Sequence, residues 1–178
     1  MKYPPPPAGE LARFMEALAS VESGGRYNAR NATSGARGRY QIMPANWPGW
    51  ARRYLGDAAA DPWLPANQDR VARGKLSDLY RWLGRWDRVA AWWLAGGTEL
   101  ATGDPARWPA SVKSYVSSVL TRFGAATPPP AEPVAAPVAA ADAPAGSGPA
   151  GCARLIGAAA LVAAFALAEL AALTWAMP

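Results

Sequence analysis

Residues 125–151 consist almost entirely of Ala, Pro, Gly, Val and Ser. A stretch of that composition buries too little apolar surface to offset the entropy of ordering it, so it reads as an extended, semi-rigid linker. Any folded core must form to one side of it. The first 124 of the 178 residues carry 17 Lys and Arg against 10 Asp and Glu, a net of +7, together with eight of the nine Trp. They have the length of one ordinary domain. Beyond the linker, 155–177 is a 23-residue apolar stretch with Glu169 as its one charge. As a helix it would be about 35 Å long, enough to cross a hydrocarbon core of about 30 Å, and it reads as a single transmembrane helix. Packing of that helix on the folded domain, or on another copy of itself, is the competing reading. The expected organisation is a proline-rich arm (1–8), a folded domain (9–124), a Pro/Ala linker (125–151) and a C-terminal membrane helix (152–178).

Within the domain the hydrophobic pattern is helical. Leu11, Phe14, Met15, Leu18 and Val21 define one apolar face that ends at Gly24-Gly25. Residues 26–43 are rich in Asn, Ser, Thr, Gly and Arg and read as loop, with a short strand, or minimal β-hairpin, near 39–43. Pro44 suits the first turn of a short helix reaching Leu55. Val71, Leu76, Leu79, Tyr80 and Leu83 mark a helix over 66–83, and Gly84 separates it from another over 86–95. Val112, Tyr115, Val116, Val119, Leu120 and Phe123 form the stripe of a final helix. Pro4–Pro7 predict an extended polyproline arm ahead of all of these. The fold class is therefore all-α.

Composition removes whole classes of chemistry. The chain has no histidine and a single cysteine, Cys152, which excludes Ser-His and Cys-His nucleophiles, His-ligated metals and Cys-based metal clusters. Acid–base work would fall on carboxylates, Lys or Tyr. No metal or other cofactor is expected. The positive charge favours anionic partners, namely nucleic acid, membrane headgroups or the acidic bacterial wall. The arginines are scattered, with no basic helix or recognised nucleic-acid motif, so no nucleic-acid partner is expected.

One carboxylate stands out. Glu22 falls four residues after Leu18 and so continues the buried stripe of the first helix. Lost hydration and the negative end of the helix dipole both favour its neutral form. A protonated carboxyl beside a cleft is what glycosidic cleavage needs, because the leaving oxygen must receive a proton. A helix-end Glu turned outward to solvent is the plain alternative.

Glu22-Ser23-Gly24-Gly25, then Ser34-Gly35-Ala36-Arg37-Gly38, Tyr40-Gln41-Ile42-Met43-Pro44, and later Tyr115-Val116, together resemble the soluble lytic transglycosylase domain of the lysozyme-like superfamily. The resemblance covers residues 9–124. It implies a lysozyme-like helical fold and cleavage of the β-1,4 bond between N-acetylmuramic acid and N-acetylglucosamine in peptidoglycan glycan strands, leaving a 1,6-anhydro sugar. Glu22 would be the catalytic acid and then the base. Gln41 would hydrogen-bond substrate or orient Glu22, Ser23 would support the acetamido side, and Tyr40 and Met43 would line the cleft, with ordinary core the alternative for both. The chain departs from the family at Ala91-Trp92-Trp93-Leu94-Ala95-Gly96, where an Ala-Tyr-Asn-x-Gly pattern is expected. Trp92 can pack over a sugar but has no hydroxyl, and Tyr115 is the candidate to supply the missing phenol, with helix packing the equal alternative.

Two other functions stand beside that one. A hydrolytic muramidase would use a second carboxylate, for which Asp57, Asp61, Asp69 and Glu99 are candidates, solvated surface being the ordinary reading of each. A wall-binding or assembly module would keep the fold and lose turnover, and the altered Trp92-Trp93 segment favours it. Trp47, Trp50, Trp63 and Trp108 flank the cleft loops as sugar-stacking candidates, with core packing the alternative for each. The N-terminus lacks the pattern of a signal peptide. This fits a phage lysis enzyme stored on the cytoplasmic side of the membrane, an orientation that Arg154 beside the apolar stretch favours, or a bacterial wall-remodelling enzyme.

Overall fold

The computed structural model describes residues 1–125, which belong to one unit of the chain. The linker beyond Ala125 and the apolar stretch 155–177 lie outside the described residues. Among the described residues no helix is long and apolar enough to cross a membrane.

The domain is helical and, among the described residues, has no strand. Its elements are α1 (Ala8–Ser23), α2 (Trp47–Leu55), α3 (Pro65–Leu83), α4 (Trp86–Ala95), α5 (Thr98–Thr102), a 3-10 turn (Pro105–Arg107) and α6 (Ala110–Ala125). Helix α1 packs on α6 and α3, α4 packs on α6, α5 and α3, and α2 packs on α3. Phe14 and Leu18 of α1 are fully buried. Phe14 stacks on Trp86 at 4.3 Å and meets Phe123 edge-on at 5.8 Å, and Tyr80 lies 4.5 Å from Trp86. One aromatic cluster therefore joins α1, α3, α4 and α6. Such pairs add stability beyond the area they bury.

Helices α1, α3, α4 and α6 begin and end close to where the periodicity places them. Helix α2 begins at Trp47, three residues later than expected, and the reason is local. A helix starting at Pro44 would need an N–H from residue 48 to bond the Pro44 carbonyl, and residue 48 is proline. Pro48 sits instead in the first turn, where no N–H is required.

The expected strand at 39–43 is not formed. Arg37 pairs with Arg30 and with Ile42 as isolated bridges only. Gly38 (φ 74°) and Gln41 (φ 49°) both turn the chain through the left-handed region, so the ladder cannot extend. The polyproline arm is not free: the Lys2 and Tyr3 N–H groups both donate to the Arg81 carbonyl at 2.8 Å, and Pro6 is buried. The Tyr3 ring lies against Gly84, where an added Cβ would come within 2.8 Å of it.

Candidate active site

Glu22 occupies the last turn of α1 and is partly exposed. Beyond it Gly24 and Gly25 adopt left-handed conformations (φ 64° and 80°) and donate to the Ser20 and Ala19 carbonyls, which turns the chain sharply out of the helix. Burial of its carboxyl pushes the Glu22 pKa up to about 7, and the hydrogen bond it accepts from the Tyr115 hydroxyl opposes part of that rise. The Tyr115 phenol is in turn pushed up, by burial and then by the neighbouring Glu22 charge, so it stays protonated and donates. Helix α6 thus brings the Tyr115 phenol to the Glu22 carboxyl.

The loop after α1 is held from several sides. The Ser23 hydroxyl donates to the Arg39 carbonyl at 2.7 Å and is placed 3.3 Å from the Ala19 carbonyl. Ser23 is buried and ties the loop to α1; its hydroxyl is not turned toward a substrate, as the resemblance implies it would be. Tyr40 corrects a second expectation. It is 1% exposed, and its hydroxyl donates to Asp69 at 2.8 Å. A buried phenol needs an acceptor, and Asp69 supplies one. Asp69 also accepts from the Tyr27 hydroxyl at 2.8 Å, and Arg39 Nη1 donates to Tyr27 at 2.8 Å. Asp69 thereby has a structural role, although 35% of its side chain remains exposed.

Gln68 was not anticipated. It is 2% exposed; its Oε1 accepts from the Arg39 N–H at 2.8 Å and its Nε2 donates to the Tyr27 carbonyl at 3.1 Å. A Cβ on Gly38 would lie 2.2 Å from that Oε1, so only glycine permits the approach. The signal was legible: Gln68 precedes Val71, Ala72 and Leu76 by three, four and eight residues, which puts a polar group on the buried stripe of α3.

The same loop carries Gln41 and Met43. Gln41 is partly exposed and its Nε2 donates to the Gly38 carbonyl at 2.9 Å, while Met43 is 41% exposed. Helix α4 closes on this loop through Trp93, whose indole N–H donates to the Tyr40 carbonyl at 3.1 Å. Trp92 makes no hydrogen bond to Glu22; its ring lies 6.4 Å from that of Trp50.

Among the other tryptophans, Trp47 and Trp108 are buried and donate to the Ala60 and Leu100 carbonyls. Trp50 is partly buried, and Trp63 is exposed beneath the Arg37 guanidinium. Asp57 and Asp61 accept backbone N–H groups of their own turns, from Ala59 and Trp63. Glu99 opens α5 and is exposed.

The concavities of the described surface include a groove and a small pocket. An open groove of about 560 Å³ is lined by Asp87, Pro105, Trp108, Lys113, Val116 and Leu120 among others, and a small pocket of about 80 Å³ by Met15, Glu16, Arg39, Tyr40 and Asp69 among others. Neither contains Glu22. No protein-family model, curated protein or solved structure matches the chain.

Proposed function

We propose that the domain is a peptidoglycan-cleaving enzyme of lytic-transglycosylase type with a lysozyme-like fold. The observation that carries this reading is the state of Glu22: a carboxyl at the end of the first helix, held near pH 7 by burial and engaged by the Tyr115 hydroxyl. A carboxyl with that pKa is protonated often enough to act as an acid and loses its proton readily enough to act next as a base. Glu22 gives its proton to the oxygen bridging N-acetylmuramic acid and N-acetylglucosamine as the bond to the muramoyl C1 breaks. The sugar's own acetamido group takes up the positive charge at C1, so one protein carboxylate suffices. The Glu22 carboxylate then removes the proton of the muramoyl C6 hydroxyl, whose oxygen bonds to C1 and closes the 1,6-anhydro ring. Glu22 ends protonated, as it began.

Tyr115 fixes the orientation of the carboxyl and stabilises it while ionised. Gln41, its Nε2 committed to Gly38, presents its carbonyl oxygen to substrate, and exposed Met43 lines the approach. Three of the four candidate second carboxylates, Asp57, Asp61 and Asp69, are engaged elsewhere, which favours the anhydro product and leaves Glu99, exposed on α5, as the one free candidate among the described residues for a hydrolytic pair.

The stretch 155–177 completes the proposal as a single membrane span that tethers the domain through the linker, in a phage lysis protein held on the cytoplasmic side until the membrane fails. Protease added to intact spheroplasts checks this, since digestion of the domain before any lysis would exclude a cytoplasmic store.

The deciding experiment is mass spectrometry of purified peptidoglycan digested with the full chain and with Glu22→Gln. Anhydro-muropeptides from the unsubstituted protein alone are the expected result. Reducing-end products would mean hydrolysis, and no products from either protein would mean a wall-binding module.

A further inference from the structure

Lys75 lies on α3 four residues after Val71 and four before Leu79, both buried, so its side chain leaves the helix on the packed face. Its ammonium rests 4.3 Å from the centroid of the Trp92 ring and 5.0 Å from that of Trp50. Trp50 in turn lies 5.7 Å from Trp93, which is bonded to the Tyr40 carbonyl beside Gln41. This cluster therefore adjoins the loop that carries the candidate substrate groups. It is built from the Trp92-Trp93 segment that departs from the Tyr-Asn of the family pattern.

Among the described residues the Lys75 ammonium has no hydrogen-bond acceptor and no ion pair. The nearest acidic group on its own helix, Asp78, is already taken by Arg53 at 2.7 and 3.0 Å and by the Tyr54 hydroxyl at 2.8 Å. Burial lowers the Lys75 pKa. Asp78 attracts the ammonium without touching it, so a partly desolvated cation set over two indole faces still lacks a bonded anion. The indoles supply apolar surface against which a pyranose ring can pack.

We propose that Lys75, Trp50 and Trp92 form a subsite for a carboxylate-bearing amino sugar, with the ammonium taking the carboxylate carried by the 3-O-lactyl group of N-acetylmuramic acid. The assignment rests on the glycan-cleaving reading. It gives that reading a basis for placing the muramoyl sugar, because N-acetylglucosamine lacks the lactyl carboxylate. The carboxylate is either that of the lactyl group itself or the first one of an attached stem peptide.

The test measures binding of N-acetylmuramic acid, a muramoyl dipeptide and N-acetylglucosamine to the full chain carrying Glu22→Gln, so that no turnover intervenes. Preference for one or both carboxylate-bearing ligands over N-acetylglucosamine is expected, by about tenfold for a charge-assisted contact. Which of the two is preferred identifies the carboxylate. Lys75→Met, which keeps the apolar stem, should abolish the preference and leave N-acetylglucosamine binding and thermal unfolding unchanged, whereas Lys75→Arg should retain it. Equal binding of all three ligands, or a preference that survives Lys75→Met, overturns the subsite. Cleavage by the chain with Glu22 intact is scored separately. A Lys75-dependent preference without cleavage keeps the subsite and removes the catalytic reading, and cleavage without the preference does the reverse.

Discussion

The hydroxyl of Tyr115 on α6 donates to Oε1 of Glu22 on α1, across 93 residues of chain. The packing of α6 on α1 therefore moderates the protonation of the candidate acid as well as building the core. Because this bond favours the ionised carboxylate, Tyr115→Phe should raise the Glu22 pKa above about 7. The alkaline limb of the cleavage rate should move up by about one pH unit, since a hydrogen bond to a charged group contributes about 1.5 kcal/mol. A pH–rate profile of the variant checks this, and a limb that stays put or moves down counts against the role given to Tyr115.

The same carboxyl makes folding stability depend on pH. Its folded pKa of about 7 exceeds the ordinary 4.5, so between those values the folded chain holds a proton that the unfolded chain has lost. The contribution of Glu22 to stability is full below pH 4.5 and is lost as pH rises through 7. The loss is on the order of 3 kcal/mol. Urea unfolding at pH 4.5 and at a pH well above 7 should show the unsubstituted protein losing stability relative to Glu22→Gln. Parallel curves for the two proteins would mean that Glu22 is not desolvated.

Gly38→Ala should loosen the loop between α1 and α2. The new Cβ would need a left-handed backbone and would displace the Gln68 amide that holds Arg39 and Tyr27. A destabilisation of about 2–4 kcal/mol is expected from strain together with lost buried hydrogen bonds. Denaturant unfolding gives the magnitude, and faster tryptic cleavage after Arg26, Arg30 or Arg37 locates the effect.

Gly84→Ala should release the N-terminal arm. At φ 74°, with the Tyr3 ring 2.8 Å from the added Cβ, either the backbone or the ring must yield, costing roughly 1–3 kcal/mol. Tyr3→Ala alone should cost less, and the double variant should fall short of the sum, because displacing Tyr3 is common to both. Full additivity would show that the arm does not depend on this contact.

Helices α1, α3, α4 and α6 were legible because each runs for at least ten residues with an apolar stripe that only a helical period explains. Helix α5 and the turn at Pro105 were not, since a five-residue helix with Ala101 as its one buried residue has no period to detect. At the site, Glu22 could be read from its place on a buried stripe, and Tyr115 from its place on another. The same rule, applied to α3, would have singled out Gln68 and Lys75. What sequence could not supply was the partners of Ser23 and Tyr40. Their roles depend on the Arg39 carbonyl, 16 residues from Ser23, and on the Asp69 carboxylate, 29 residues from Tyr40. Only tertiary packing decides which groups meet over such separations.

The clamp that Gln68 places on the loop is an amide, with no charge of its own. Ion pairs of the same region respond to salt: Arg39 reaches Glu16 across a contact whose acidic side chain is 60% exposed, and screening over about 8–10 Å weakens such attractions. The bonds from the buried Gln68 amide to the Arg39 and Tyr27 backbone are neutral, so screening by added ions has no charge pair there to weaken. The segment bearing Gln41 and Met43 should therefore hold its shape from dilute buffer to concentrated brine, even as the charged contacts around it fade.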